Sequence, residues 1–328
     1  MKPPTGYSSL LARLALILLC CGRAVPQANE CISISSSALE KITSGPRAEL
    51  GPAPSPDGKW VAFEYFHPGP GIIPQIWIMD RVLGPESVRP IVDDQNYNSW
   101  PSWSPDSKWI SFVSHGVREH TIQTGQVYKV KIEDRTVVQL THFREGTVLR
   151  DSTSWARDGR VAFVYNDGIY AVRGSGGDPE ELIDTRQTLS PGSLWGAVWS
   201  PDGSRLAFKG NSLGSEEADQ RIWVADSNGR HMFYVTKGST DDVPSWLDND
   251  HILFERWSKS GEVRICVVSL STLRIQYLTR NHIDQTPAAD PTGRVLFFAR
   301  ADLSKKNIYA WLPETHIWAV PILRVAGR

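Results

Sequence analysis

Asp151, Asp241, Asp242 and Asp284, with Asn98 and Trp195, are the side chains of this sequence whose type and placement best suit joint chemistry. They belong to five pairs that stand four or five residues ahead of a recurring tryptophan position: Asn98 and Ser99, Arg150 and Asp151, Leu194 and Trp195, Asp241 and Asp242, Asp284 and Gln285. Carboxylates converging on one funnel would focus a negative potential and draw in a basic peptide segment or a cation. The competing use of such aspartates is to accept backbone amide bonds in tight turns.

Other reactive side chains form no recognisable constellation. The eight histidines, His67, His115, His120, His142, His231, His251, His282 and His316, show no His-Glu-x-x-His or other zinc spacing. There is no Gly-x-Ser-x-Gly elbow, and Gly174-Ser175-Gly176-Gly177 follows a strand without opening a helix. No catalytic residue, metal ligand or cofactor is therefore expected, although a site assembled from separate segments stays open. Cys31 and Cys266 would remain after leader removal and can pair in an oxidising compartment.

The elements that would position these residues repeat. Six segments align: 52–64 (PAPSPDGKWVAFE), 101–113 (PSWSPDSKWISFV), 153–164 (TSWARDGRVAFV), 197–209 (AVWSPDGSRLAFK), 244–255 (PSWLDNDHILFE) and 287–299 (PAADPTGRVLFFA). Their phenylalanines, Phe63, Phe112, Phe163, Phe208, Phe254 and Phe298, are 49, 51, 45, 46 and 44 residues apart. Each copy reads as a short strand, a Pro-Asp-Gly-type turn and a second strand alternating large and small residues. A third strand follows in each, at 75–79, 126–130, 168–172, 221–225, 263–267 and 307–311. An outer strand then ends in a Leu-Thr-like pair, as at Leu140-Thr141, Val235-Thr236 and Leu278-Thr279.

Four antiparallel strands at this period predict an all-β chain, a β-propeller of six blades. Residues 39–43 and 317–324 resemble further outer strands, and the N-terminal one is expected to join the last blade. Trp103, Trp155, Trp199 and Trp246 keep the register of the repeat and are expected between blades. Trp100, Trp195 and Trp257 fall outside it and are candidate exposed anchors. Two loops, 67–74 and 115–126, are long enough to present a partner surface.

Composition narrows the classes further. With 35 Lys+Arg against 36 Asp+Glu the net charge is -1, and no nucleic-acid partner is expected. The apolar run at 14–21 suits a signal peptide over residues 1–28, with residues 29–328 as one domain and no membrane span once the leader is removed. Lipid attachment at Cys20 or Cys21 is the alternative; small residues should precede such a cysteine, and Leu18-Leu19 stand there.

The units Pro101–Asp106, Ser55–Gly58 and Ser200–Gly203 resemble the repeat of the TolB-type, or WD-like, propellers of bacterial envelope proteins. The likeness runs over roughly residues 39–325. It implies the fold and a protein-interaction or scaffold role in the periplasm or outside the cell, with an envelope protein or peptide as partner. The N-terminal α/β domain of the family's namesake has no counterpart here, and no peptidase domain is expected after residue 328. Related propellers serve lyases and peptidases. The alternative expectation is thus a carbohydrate lyase or hydrolase with its site in the channel, and a third is a regulatory subunit for a separate enzyme.

Overall fold

In each repeat, alternation such as Trp60-Val61-Ala62-Phe63 places every second side chain on one face of a strand. The computed structural model describes residues 30–67, 73–118, 121–166, 168–184, 194–211, 220–237, 240–280, 282–305 and 313–326. Two short strands come first, β1 (Cys31–Ile34) and β2 (Glu40–Lys41). Successive groups of antiparallel strands, here called blades, follow among the described residues, and hydrogen bonding gathers all the strands into sheets of nine, four, four and eight. The first is β3 (Ala48–Pro54), β4 (Trp60–Phe66), β5 (Pro74–Asp80) and β6 (Arg89–Val92). The second is β7 (Tyr97–Trp103), β8 (Trp109–Arg118), β9 (Thr121–Lys131) and β10 (Val137–Gln139). The third is β11 (Val148–Trp155), β12 (Arg160–Tyr165), β13 (Gly168–Arg173) and β14 (Glu180–Asp184). The fourth is β15 (Leu194–Trp199), β16 (Arg205–Asn211), β17 (Gln220–Asp226) and β18 (Phe233–Tyr234). The fifth is β19 (Thr240–Trp246), β20 (His251–Trp257), β21 (Val263–Ser269) and β22 (Ile275–Tyr277). The sixth is β23 (Asp284–Ala289), β24 (Val295–Ala301) and β25 (Thr315–Val325).

Two locks explain the repeated motifs. In the Ser-Pro-Asp turn, Ser55 Oγ donates to Asp57 Oδ1 at 2.6 Å and accepts from Trp60 N at 2.9 Å. The same pair of bonds recurs at Ser104 with Asp106 and Trp109, and at Ser200 with Asp202 and Arg205. In the outer strand, the threonine hydroxyl accepts a third-strand amide: Val127 N to Thr141 Oγ1 at 2.9 Å, Ile222 N to Thr236 Oγ1 and Ile265 N to Thr279 Oγ1, both at 3.0 Å.

The six phenylalanines are buried, and each sits in a separate core cluster shared with a neighbouring blade. Phe112 packs with Ile76 and Ile78 of the first blade, for example, and Phe63 with Phe297 and Ile317 of the sixth. Trp103, Trp199 and Trp246 are buried in these clusters, and Trp155 is partly buried against one. The tryptophan of the repeat is therefore inter-blade packing.

The sixth blade is completed by the N-terminus, as expected. β2 pairs with β25 at Glu40↔Ala319 and Lys41↔Trp318, and Ile317 N donates to Thr43 Oγ1 at 2.9 Å, the outer-strand lock once more. The C-terminal segment is not an outer strand: β25 is the third strand, paired with β24 from Val295↔Pro321 to Ala301↔Thr315. The third strand placed by sequence at 307–311 lies outside the described residues. The segment 115–126 is not a loop either. β8 and β9 continue as a hairpin to Arg118↔Thr121, because the alternation there carries on pairing. In the 67–74 segment, residues 68–72 lie outside the described residues.

By contacts, residues 32–323 form one unit, and outside it Arg324 pairs with Glu30 at 3.6 Å. Among the described residues, no helix is long and apolar enough to cross a membrane.

Candidate functional site

The inner strands β3, β7, β11, β15, β19 and β23 together wall one cavity of about 600 Å3. Each of them carries a register shift against its partner, a β-bulge between Leu50 and Ala53, Ser99 and Ser102, Val148 and Thr153, Trp195 and Val198, Asp242 and Ser245, and Gln285 and Ala288. At the bulge the backbone turns to positive φ: 60° at Gly51, 54° at Trp100, 68° at Gly196, 45° at Val243 and 51° at Thr286. Glycine adopts this conformation freely, whereas Trp, Val and Thr are strained in it by about 1–2 kcal/mol. These bulge residues line the cavity, and Pro52, Pro101, Pro244 and Pro287, next in sequence, line it too. Arg157 and Asp290 are the charged residues of the lining, and Asp290 is occupied by the amides of Arg294 and Val295, both on its Oδ1, and by the Thr292 hydroxyl on its Oδ2. The wall is otherwise proline, tryptophan and small side chains.

Three of the four aspartates predicted at the rim, Asp241, Asp242 and Asp284, are paired with cations. Asp241 is fully buried and held by Arg256, Nε to Oδ1 at 2.7 Å and Nη2 to Oδ2 at 2.9 Å. Asp284 is likewise buried against Arg300, at 2.6 Å and 3.0 Å. Each pair faces across the first two strands of its blade, Asp241↔Arg256 and Asp284↔Arg300. The Asp241 bonds hold the Arg256 guanidinium charged far above the ordinary range. Asp242 is more open, but Lys209 Nζ lies 2.8 Å from its Oδ2 and Val243 N donates to Oδ1. Asn98 is buried, donating to Gln75 Oε1 at 2.9 Å and Asp94 Oδ1 at 2.8 Å. Trp195 is half-buried, with Lys209 Nζ 4.3 Å from its ring centre. Asp151 lies on β11, and its side chain is outside the described residues.

Asp241 and Asp284 are thus neutralised, since a buried carboxylate without a cation would be too costly to keep. A signal for this stood in the sequence: Phe254-Glu255-Arg256 and Phe298-Ala299-Arg300 place arginine two residues after the repeated phenylalanine, where β pairing sets it opposite the aspartate.

Sequence reasoning also passed over the residue directly after that phenylalanine. It is Glu64, Lys209 and Glu255 in three blades, and Val113, Val164 and Ala299 in the others. Burial pushes the Glu64 carboxyl up to about 7. Burial, with the nearby Asp242 charge, pushes Glu255 up to about 8. Glu255 and Asp242 are cross-strand partners, so one blade sets a carboxylate bonded by Lys209 beside a buried carboxyl that favours its protonated form.

The bridge weighed between Cys31 and Cys266 is not formed: both are free thiols, Cys31 exposed and Cys266 buried. Burial pushes the Cys266 thiol up to about 12. Among the described residues, no group of three or more His, Cys, Asp or Glu side chains is arranged to hold a metal. Trp257 is exposed, while Trp100 is half-buried on the channel wall.

No family model matches the chain. Among curated proteins, an uncharacterised protein of Agrobacterium fabrum is 23% identical over 206 residues, 62% of this chain and 65% of that protein, so the match spans just under two thirds of the relative. Solved structures resemble it more broadly. TolB from Acinetobacter baumannii superposes with a TM-score of 0.60 at 19% identity, covering 74% of this chain and 57% of TolB. An oligogalacturonate lyase in complex with manganese gives 0.57 at 9% identity, covering 90% and 98%. A gluconolactonase from Xanthomonas campestris gives 0.55 at 13%, covering 90% and 96%. These likenesses carry the β-propeller fold and no particular activity.

Proposed function

We propose that this propeller is an exported binding module of the cell envelope, six-bladed and TolB-like, which takes an uncharged segment of a protein or peptide partner into its central channel. The observation that carries this reading is the channel wall: a cavity of about 600 Å3 enclosed by six inner strands and lined by Pro, Trp, Ala and Ser. Rigid walls of this kind lose little entropy on binding, and proline and tryptophan offer apolar surface without demanding a charge. The partner expected from the sequence was basic. With Asp241, Asp242 and Asp284 already paired, selection rests on shape and apolar contact. Export is supported by the apolar run at 14–21 and its small-residue sequel.

A photo-crosslinking residue at Ala288, on the channel wall, and another at Val138, on the exposed edge strand of the second blade, test the reading. Each variant is expressed in its own cell envelope and irradiated. A partner captured from Ala288, which then binds the purified chain saturably and is displaced by Ala288→Trp, supports it. Capture from Val138 alone refutes it.

A second reading, a hydrolase or lyase acting on a carbohydrate, is favoured by the Asp242–Glu255 pair. Sugar-cleaving sites commonly set a carboxyl kept protonated by burial, as Glu255 is, beside a second carboxyl. Turnover of oligogalacturonate or another acidic oligosaccharide that is lost in Glu255→Gln would establish this instead.

A further inference from the structure

Glu64, Lys209 and Glu255 occupy one equivalent position in three blades, and each reaches the inner bulge of the blade that follows. Glu64 Oε1 accepts from Trp100 N at 2.7 Å. Glu255 Oε1 accepts from Thr286 N at 2.5 Å. Lys209 Nζ bonds Asp242 Oδ2 at 2.8 Å, and Asp242 Oδ1 in turn accepts from Val243 N at 2.8 Å. Among the described residues, Trp100, Val243 and Thr286 are the bulge residues on the channel wall that hold a positive φ without being glycine. A backbone in that region persists only when its surroundings hold it there, and here the holding groups are these side chains. The contacts also run on through the wall. Thr286 Oγ1 accepts from Gly51 N at 3.1 Å, and the Glu64 side chain lies beside Gly51, where a Cβ would stand 3.8 Å from its Cγ. Glu255, Thr286, Gly51, Glu64 and Trp100 thus form one line across four blades.

We propose that Glu64 and Glu255 are proton-operated pins of the channel mouth, their ionisation resetting Trp100 and Thr286 and so regulating entry to the channel. The proposal rests on the channel being the binding site. The groups facing Glu255 are Asp242 from β19, Lys209 from β16, the Thr286 amide from β23 and, on its own strand, Trp257 Nε1 at 3.2 Å. The adjoining Asp241–Arg256 pair is closed on itself. Glu64 faces the Trp100 amide from β7 and Gly51 from β3, and no cation among the described residues pairs with it.

Ionisation strengthens each amide bond but leaves a charge in a dry site, and beside Glu255 it adds repulsion from Asp242. Two relaxations relieve this: Lys209 swings from Asp242 toward Glu255, or water enters the mouth. Both loosen the bulges at Val243 and Thr286. Both carboxyls titrate near neutrality, because burial pushes Glu64 up to about 7 and burial with Asp242 pushes Glu255 up to about 8. The mouth is therefore tight and dry in mild acid and looser above neutrality.

The test follows the backbone amide resonances of Trp100 and Thr286 by 15N NMR from about pH 5 to about pH 9. In parallel, binding of a neutral probe, N-acetyl-tryptophanamide, is measured over the same range. Glutamine keeps the accepting carbonyl and removes the titration, and unchanged remaining resonances verify the fold of each variant. Both amides should move sigmoidally with pH. The Trp100 excursion should vanish in Glu64→Gln and the Thr286 excursion in Glu255→Gln. The probe should bind about threefold or more tightly at the alkaline end, a difference absent from the double variant. Amides that do not titrate, or that titrate unchanged in both variants, overturn the pins. Titrating amides with pH-independent probe binding overturn their control of entry. Titrating amides with no probe bound at any pH leave the pins standing and overturn the channel as the binding site.

Discussion

Glu255 has no counter-ion of its own, and its bonds come from the Thr286 amide and the Trp257 indole N–H. Its carboxyl titrates at about 8 in the fold against an ordinary value of 4.5. The fold therefore favours the protonated form. Stability from this group is fully present below about pH 4.5, declines as pH rises, and levels off above about pH 8. The loss is on the order of 5 kcal/mol at most. In urea unfolding, Glu255→Gln should be more stable than the parent at alkaline pH and gain nothing near pH 5; an equal gain at both would refute it. The rim aspartates make the opposite case. Deleting Asp284 strands the Arg300 guanidinium, which stacks on Phe298 and Trp318. Asp284→Ala should cost about 3–5 kcal/mol. A melting temperature within a degree or so of the parent would show the pair to be dispensable. Cysteine chemistry is similarly lopsided. A thiol reagent should label Cys31 and spare Cys266 until the chain is unfolded, because the latter is buried and hard to ionise.

At the scale of strands and turns, the repeated motifs are structural devices. The serine and aspartate of Ser-Pro-Asp spend their hydrogen bonds on the turn itself. The outer threonine anchors an otherwise weak edge strand by satisfying a third-strand amide. Thr236→Val keeps the shape and removes that acceptor, leaving the Ile222 amide buried and unbonded. A loss of about 1–2 kcal/mol is expected, read from the urea midpoint, and no change would mean that β18 bears no load. The inner bulges have the more specialised part. At Gly51, Trp100 and Thr286 they expose an amide that a side chain of a neighbouring blade answers. That requirement accounts for a glutamate in the apolar alternation of β4 and of β20.

For the molecule as a whole, the ring depends on a strap of a dozen residues. β2 contributes Glu40 and Lys41 to the pairing, Thr43 supplies the lock, and Ile32 is buried in the cluster shared by the fifth and sixth blades. Deleting residues 32–43 removes these together and leaves β25 with an open edge. The truncated chain should melt well below the parent and associate through that edge, visible as a concentration-dependent mass in sedimentation. A monomer with unchanged melting would show that the blades close without the strap.

The repeat, the strand grammar of the first five blades and the contribution of residues 39–43 to the last one could be read from the amino-acid order, because they depend on alternation and turn chemistry within a few residues of one another. The placement of Trp103, Trp199 and Trp246 between blades was legible for the same reason. Other features join residues that the chain holds far apart. Arg256 meets Asp241 and Arg300 meets Asp284 through strand pairing, and Lys209 reaches Asp242 in the next blade. Asp241 and Asp284 looked like an open acidic rim because a list of side chains shows charge but not its neutralisation. Glu64 and Glu255 went unnoticed because nothing local marks a glutamate as buried. Which amides the bulges leave unpaired, and which side chain arrives to answer them, follows from how neighbouring blades stack around the channel. That is a property of the closed ring, and it gives these two carboxyls their altered protonation.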